Sequence, residues 1–464
     1  MKPYPEYKET GIEWLGEIPR HWQITRLKNS IIGSINGIWG NEPDGENDIP
    51  CIRVADFNRS NFTIDTGNLT LRSIELKDRR NRILEHGDLL IEKSGGGDLQ
   101  PVGAVVLFDH DFEAVTSNFM ARMPVRKNFI SRFLCYIYAH LYSTKVNTRS
   151  IKQTTGIQNI DQEAYLNENV CIPSKSEQYT IATYLDRETS RIDTLIAKKQ
   201  RQIELLQEKR SALISHVVTK GLPAEARAKA GLDPDVKMKD SGVEWLGEVP
   251  EHWEVVRLKN VVKLINNKVD GIISDLRYIG LENIKSWEGK LIDNEHMRPE
   301  GQANTFERGD VLFSKLRPYL AKVFCANFKG MCTSELLVLR PHKISQYYLL
   351  HLLLSKEFIY LVDSSTYGAK MPRANWEYIG NIYIPNPPKS EQNIISNYLQ
   401  ENINKMDNLI DKINQSINSL KEYRTALISA AVTGKIDVRD EVEKVEQEEE
   451  VRIAAESGRE YGRP

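Results

Sequence analysis

Long apolar runs are missing from this 464-residue chain. No stretch approaches the ~20 apolar residues needed to span a bilayer, and the opening MKPYPEYKETG lacks the apolar core of a secretory leader. A cytoplasmic location without a membrane partner is therefore expected. Paired cysteines are missing too: Cys51, Cys135, Cys171, Cys325 and Cys332 form no CxxC, which argues against a zinc knuckle and a secreted disulfide scaffold. The chain contains no GxxxxGK[ST] phosphate loop, no GxGxxG after a strand, no HExxH, and no Asn- or Asp-Pro-Pro-Tyr with which an amino-methyltransferase holds a flipped base. Gly95-Gly96-Gly97 follows a strand pattern, but no helix N-terminus stands behind it to bind phosphate. Asp88 with Glu92-Lys93 has only part of the acidic-lysine pattern of nuclease metal sites. The chain is expected to be non-catalytic, with no metal and no cofactor of its own.

Charge of one sign is also missing, since the net charge is only −2. The balance is uneven: residues 437–464 carry ten Asp/Glu against five Lys/Arg, leaving a weakly positive body before an acidic tail. That body is compatible with DNA but does not resemble a bulk phosphate binder. With 40% hydrophobic and 27% charged residues, the chain can bury real cores, and its length suggests about three domains.

What is present is a repeat. KETGIEWLGEIPRHWQITRLKNSI (8–31) returns as KDSGVEWLGEVPEHWEVVRLKNVV (239–262), with 14 of 24 positions identical. Ser-Glu-Gln at 176–178 returns at 390–392, and SALISHVVT (211–219) returns as TALISAAVT (425–433), both at an offset of 214. Between these anchors only EHGDLL (85–90) and ERGDVL (307–312) align, so the chain is a duplication with alike ends and diverged middles. The repeat is far too long for a solenoid unit.

Each copy ends in a long helical pattern without Gly or Pro, whose apolar positions alternate by four and three. The first seam includes Ile192, Ile196, Ile203, Leu206 and Leu213; the second includes Met406, Ile410, Ile413, Ile417, Leu420 and Leu427. Such stripes must be covered, and each helix offers the other a cover. Arg210 and Arg424 fall on the seams, where their stems can pack while their heads reach water. In an antiparallel pair each lies near the other helix's start, within reach of a carboxylate such as Asp186. Trp14, Trp22, Trp245 and Trp253 are expected to be buried anchors.

The middles read as mixed α/β: strands over 87–93 and 102–108 and a helix over 128–146 in the first copy, then strands over 310–315 and 334–340 and a helix over 345–362 in the second. The expected architecture is two α/β (mixed α+β) domains in duplicate with internal pseudo-two-fold symmetry, separated by two long helices forming an antiparallel coiled coil. Its parts are domain 1 (1–175), spacer helix 1 (176–220), a Gly- and Pro-bearing linker (221–237), domain 2 (238–390), spacer helix 2 (391–435) and the acidic tail (436–464).

This order resembles the DNA specificity subunit of type I restriction-modification systems. The repeated GxEWLGExPxHW carries the likeness, with Ile172-Pro173…Ser176-Glu177-Gln178, Ile384-Pro385…Ser390-Glu391-Gln392 and the ALIS-x-x-VT ends, over about residues 8–435. The resemblance implies that each domain reads half of a bipartite site on double-stranded DNA and that the helices set the spacing and dock two methylation subunits. Restriction subunits join in the full complex, and S-adenosylmethionine, ATP and magnesium belong to those partners. The acidic tail is outside the family pattern. The alternative is a coiled-coil adaptor, or the specificity protein of another DNA-modification or defence complex.

DNA sequence is read by side chains at base edges, chiefly Arg/Lys to guanine and Asn/Gln to adenine. The candidates in domain 1 are Lys93, Ser94, Gly95 and Gly96, with Arg149, Lys152, Gln153, Thr155, Gly156, Gln158 and Asn159. In domain 2 they are Lys315, Arg317 and Tyr319, with Tyr367, Gly368, Lys370 and Arg373. Each domain thus offers two separate segments.

Overall fold

The structure is a computed structural model describing residues 2–154, 156–272, 274–292, 301–368 and 370–441. It divides into two units, residues 1–199 with 415–464, and residues 200–414. Each unit holds one mixed α/β domain, the start of one long helix and the end of the other.

In the first unit, Asp88–Glu92 lies between Val105–Phe108 and Met120–Met123, and Ile35–Asn36 closes the edge; all these pairings are antiparallel. Leu89 and Ile91 face the main core, while Leu90 enters a second core with Val106, Phe108 and Met120, as a strand buried on both faces requires. The helix Ser131–Ser143 covers the main core with Phe133, Ile137 and Leu141, the expected face. Strand Asn169–Ile172 pairs with Gln23–Arg26 and leads through Pro173 into the first long helix, Lys175–Lys220.

The second unit repeats this topology where the sequences no longer align. Val311–Ser314 lies between Val323–Cys325 and Leu336–Pro341, with Val262–Ile265 at the far edge. Tyr383–Asn386 pairs with Glu254–Arg257 and leads through Pro387-Pro388 into the second long helix, Lys389–Val432. The single helix expected over 345–362 is two, Gln346–Leu353 and Lys356–Ser364. Buried Ser355 breaks it with an extended backbone, its hydroxyl donating to the Leu352 carbonyl.

All the seam positions are buried or half-buried. In the first unit Ile181, Leu185 and Ile192 share a core with Leu427, Ile428, Ala431 and Val432. In the second, Ile214, Val217 and Val218 share one with Ile395, Leu399 and Ile403. In each unit the start of one helix meets the end of the other, so the pairing is antiparallel.

The 221–237 linker carries a helix, Ala224–Lys229, whose Arg227 is buried against Glu391 at 2.9 Å. The root of the tail is packed, with Val438 fully buried in the first core and Arg439 standing over the Tyr4 ring. Apolar side chains spaced among the charges supply the burial that a count of charges overlooks.

Candidate nucleic-acid interface

A buried carboxylate at the start of each long helix anchors its recognition domain. Glu177 accepts from Trp22 Nε1 (3.1 Å) and the Tyr4 hydroxyl (2.7 Å), and lies 2.9 Å from His21 Nε2. Glu391 repeats the set with Trp253 Nε1 (3.1 Å) and His252 Nε2 (2.7 Å), and Arg227 replaces Tyr4. The neighbouring glutamines bind backbone: Gln178 Oε1 accepts from Ile130 N–H, and Gln392 Oε1 from Ser345 N–H, each at the entry to a domain helix. The repeated Trp and Ser-Glu-Gln motifs are therefore joints between helix and domain. Trp22 and Trp253 are fully buried, and Trp14 and Trp245 are half-buried beside them.

The seam arginines are also joints. Arg424 pairs with Asp193 (3.3 Å) and donates to the Ser60 carbonyl; Arg210 pairs with Asp407 (3.0 Å) and donates to the Glu288 carbonyl (3.0 Å). The partner expected from sequence, Asp186, instead accepts from Arg132 and Tyr136. Asp193 lies one heptad, about two turns, further on, and it faces the guanidinium.

On these frames each domain brings its two candidate segments together. In domain 1, Ser94–Gly95 pairs with Ile157–Ile160, which pairs in turn with Ile151–Thr154. Ser94 is opposite Asn159 and Gly95 opposite Gln158. Gly95 and Gly96 have φ of +118° and +54°, a turn that favours glycine. Lys93 Nζ donates to Asn36 Oδ1 (2.7 Å), and partial burial holds its pKa below the usual lysine value. Arg149, Gln153, Gly156 and Asn159 are exposed. Lys152 pairs with Asp161 (2.6 Å), and that hydrogen bond raises the lysine and lowers the carboxyl. Gln158 is turned inward, its Oε1 accepting from Val102 N–H, so it shapes the hairpin rather than its surface. Thr155 lies outside the described residues.

In domain 2, Leu316 bridges to Arg373, Arg317 N–H donates to the Pro372 carbonyl and Ala374 N–H to that of Lys315. Arg317 sits at φ +49° before a short turn that presents Tyr319. Tyr367, Gly368 and Lys370 are exposed beside it. Arg373 is held by Glu335 through both Nε and Nη2 at 3.2 Å, and the hydrogen bonding and charge of Glu335 raise its pKa. Asn36, Trp39, Phe119 and Glu335 also border these segments. Sequence reasoning missed them because they come from a short strand and from loops and turns elsewhere in the chain and carry no motif.

Among the described residues, no three His, Cys, Asp or Glu side chains gather as a metal site, and no helix is long and apolar enough to cross a membrane. Asp88, which had suggested a nuclease site, is paired with Arg122 at 2.5 Å. Its counterpart Asp310 is held twice by Arg340 at 2.7 Å.

The type I restriction modification DNA specificity domain matches residues 32–205 and again 250–419. The chain is 23% identical over 277 residues to the EcoDI specificity subunit of Escherichia coli, a match spanning 58% of this chain and 62% of that relative. It is 24% identical over 346 residues to the MjaVIII specificity subunit of Methanocaldococcus jannaschii, spanning 71% and 76%. In fold it resembles a chain solved in work on complex assembly and conformational transition of the type I R-M system (TM-score 0.60, 16% identity, 90% of this chain and 99% of that one). It also resembles the HsdS subunit from Thermoanaerobacter tengcongensis (TM-score 0.50, 15% identity, 90% and 98%). With two copies of the domain on two long helices, the chain belongs to the specificity subunits of type I restriction-modification systems.

Proposed function

We propose that each recognition domain reads one half of a split double-stranded DNA target, and that the chain performs no chemistry itself. Two methylation subunits dock on the long helices, and restriction subunits join the full complex. S-adenosylmethionine, ATP and magnesium act on those partners. The observation that carries this reading is the contrast within each domain. The joints at Glu177 and Glu391 repeat their tryptophan and histidine contacts, and those at Arg424 and Arg210 repeat an aspartate pair, whereas the paired loops they support share almost no residues. Leu195 and Leu409, equivalent by the repeat offset, are 40% and 47% exposed, which suits two like partners docking on two like surfaces.

The test is an exchange of residues 32–168 for the equivalent segment of a related chain, followed by methylome sequencing of the host. One half of the methylated motif should change and the other stay. Change in both halves, or in neither, defeats independent reading.

A further inference from the structure

Within domain 1 one buried carboxylate has no structural duty that its counterpart shares. Asp88 and Asp310 occupy matching places and both clamp a strand arginine. Four residues on, at the end of the same strand, domain 1 has Glu92 and domain 2 has Ser314. The Ser314 hydroxyl donates to the Leu316 carbonyl, and the sheet has the same strand order in both. The fold therefore does not require an acid there. Burying one costs several kcal/mol that a partner must offset, and Glu92 is only 2% exposed.

Its partner is Arg59, whose Nη2 donates to Glu92 Oε2 at 2.8 Å. The guanidinium lies against the rings of Phe57 and Tyr142, and its Nη1 is shielded without a hydrogen-bond partner among the described residues. A buried donor left unmade is costly and calls for an acceptor. Arg59 and Glu92 line a cleft of about 460 Å³ together with Gly96, Gly97, Leu99 and Gln100. Glu92 also borders a second cleft of about 470 Å³ beside Trp39 and Phe119, with the backbone of Ser94–Gly96. Both clefts open beside the glycine-rich segment, where a Cβ at Gly95 or Gly97 would meet nothing within 4 Å, which leaves room for a close approach.

We propose that Glu92 and Arg59 together read one adenine in the half-site of domain 1, an assignment that rests on the DNA-reading function above. The carboxylate accepts from the N6 amine and the guanidinium donates to N7. Adenine alone presents that neighbouring donor and acceptor in the major groove. Guanine presents two acceptors, thymine an acceptor beside a methyl group, and cytosine a donor without N7, so each loses a bond or meets repulsion. Domain 2, with Ser314, reads its half-site by other groups.

The experiment uses the chain assembled with its methylation subunits and duplexes carrying the motif methylated in the host, the half-site of domain 1 having been assigned by exchange of 32–168. Each adenine of that half-site is replaced singly by purine, which lacks the amine, or by 7-deazaadenine, which lacks N7. At one adenine, both replacements should weaken wild-type binding about tenfold or more. Glu92→Ala should abolish the further loss from purine at that position, and Arg59→Ala the further loss from 7-deazaadenine. The double variant Glu92→Met with Arg59→Met removes both buried charges. It should fold, bind through the unchanged second half-site and lose discrimination at that one position only. A half-site of domain 1 without adenine, or variants that show the wild-type losses at every adenine, overturns the assignment. Absence of any split-site binding by the wild-type complex instead refutes the broader DNA-reading function.

Discussion

The two helix-to-domain joints share a carboxylate, a buried tryptophan and a half-exposed histidine, and differ in the third donor. Glu177 has the neutral hydroxyl of Tyr4, brought from the chain's first residues, and Glu391 has the charged guanidinium of Arg227, brought from the segment between the copies. Both donors are buried. The lesson is that one carboxylate position can be satisfied by a neutral donor or by a cation. The stakes then differ, because a buried guanidinium left alone is far costlier than a buried hydroxyl.

The sharpest way to break this likeness is to remove each carboxylate. Glu391→Ala strands Arg227 and should cost about 3–5 kcal/mol. Glu177→Ala strands two neutral donors, Trp22 and Tyr4, and should cost about 2–3 kcal/mol. Urea unfolding of the full chain compares them, and equal losses would show that the guanidinium finds another partner.

A second comparison concerns His140 and His351, each buried in the last turn of a domain helix. Burial pushes both down to about 4, with the positive charge of Arg210 adding to the effect at His351. Each is neutral in the fold, whereas the unfolded chain takes up a proton below the ordinary histidine value near 6.5. The unfolded state therefore binds more protons between pH 4 and 6.5. The stabilisation is complete above pH 6.5 and is lost as pH falls toward 4, by roughly 2–4 kcal/mol for each histidine. His140→Phe, which keeps the ring against Trp14, and His351→Phe should each flatten this stretch of the stability profile. A slope unchanged from wild type would remove the histidines from the account.

The smallest effect separates the seam pairs. Asp407 keeps Lys290 at 2.5 Å when Arg210 is removed. Asp193 has no second ion pair among the described residues, and burial already pushes its carboxyl up against the pull of Arg424. Arg424 also stands over the Phe62 ring. Arg424→Ala should therefore cost about 2 kcal/mol and Arg210→Ala about 1 kcal/mol. Thermal unfolding of the two variants orders them, and the reverse order would mean that the Glu288 contact outweighs the Phe62 and Asp193 contacts.

Much of the scaffold was legible because it is periodic or repeated. The four-three seams foretold two long helices, since a stripe that cannot face water must be covered. The doubled GxEWLGExPxHW and Ser-Glu-Gln segments foretold shared joints. Local signals were weaker for burial: the Gly and Pro of 221–237 mark a linker but say nothing of the burial of Arg227 and Leu222. The two candidate segments of each domain were visible as polar loops, but their pairing was not, because it depends on which strands the sheet brings side by side. Gln158 looked like a reader and is turned inward, and strand alternation decides that only once the register is set.

The sequence by itself determined the duplication, the two antiparallel-compatible helices, the mixed α/β middles and the missing catalytic motifs, because each is written in spacing along the chain. Only the tertiary structure decided that Asp193 rather than Asp186 meets Arg424, that Tyr4 and Arg227 fill the same role, and that Glu92 and Arg59 share a cleft. Those partners lie 33 to more than 230 residues apart. A hydrogen bond between distant residues depends on positions to within a few tenths of an ångström, which packing supplies and sequence spacing does not.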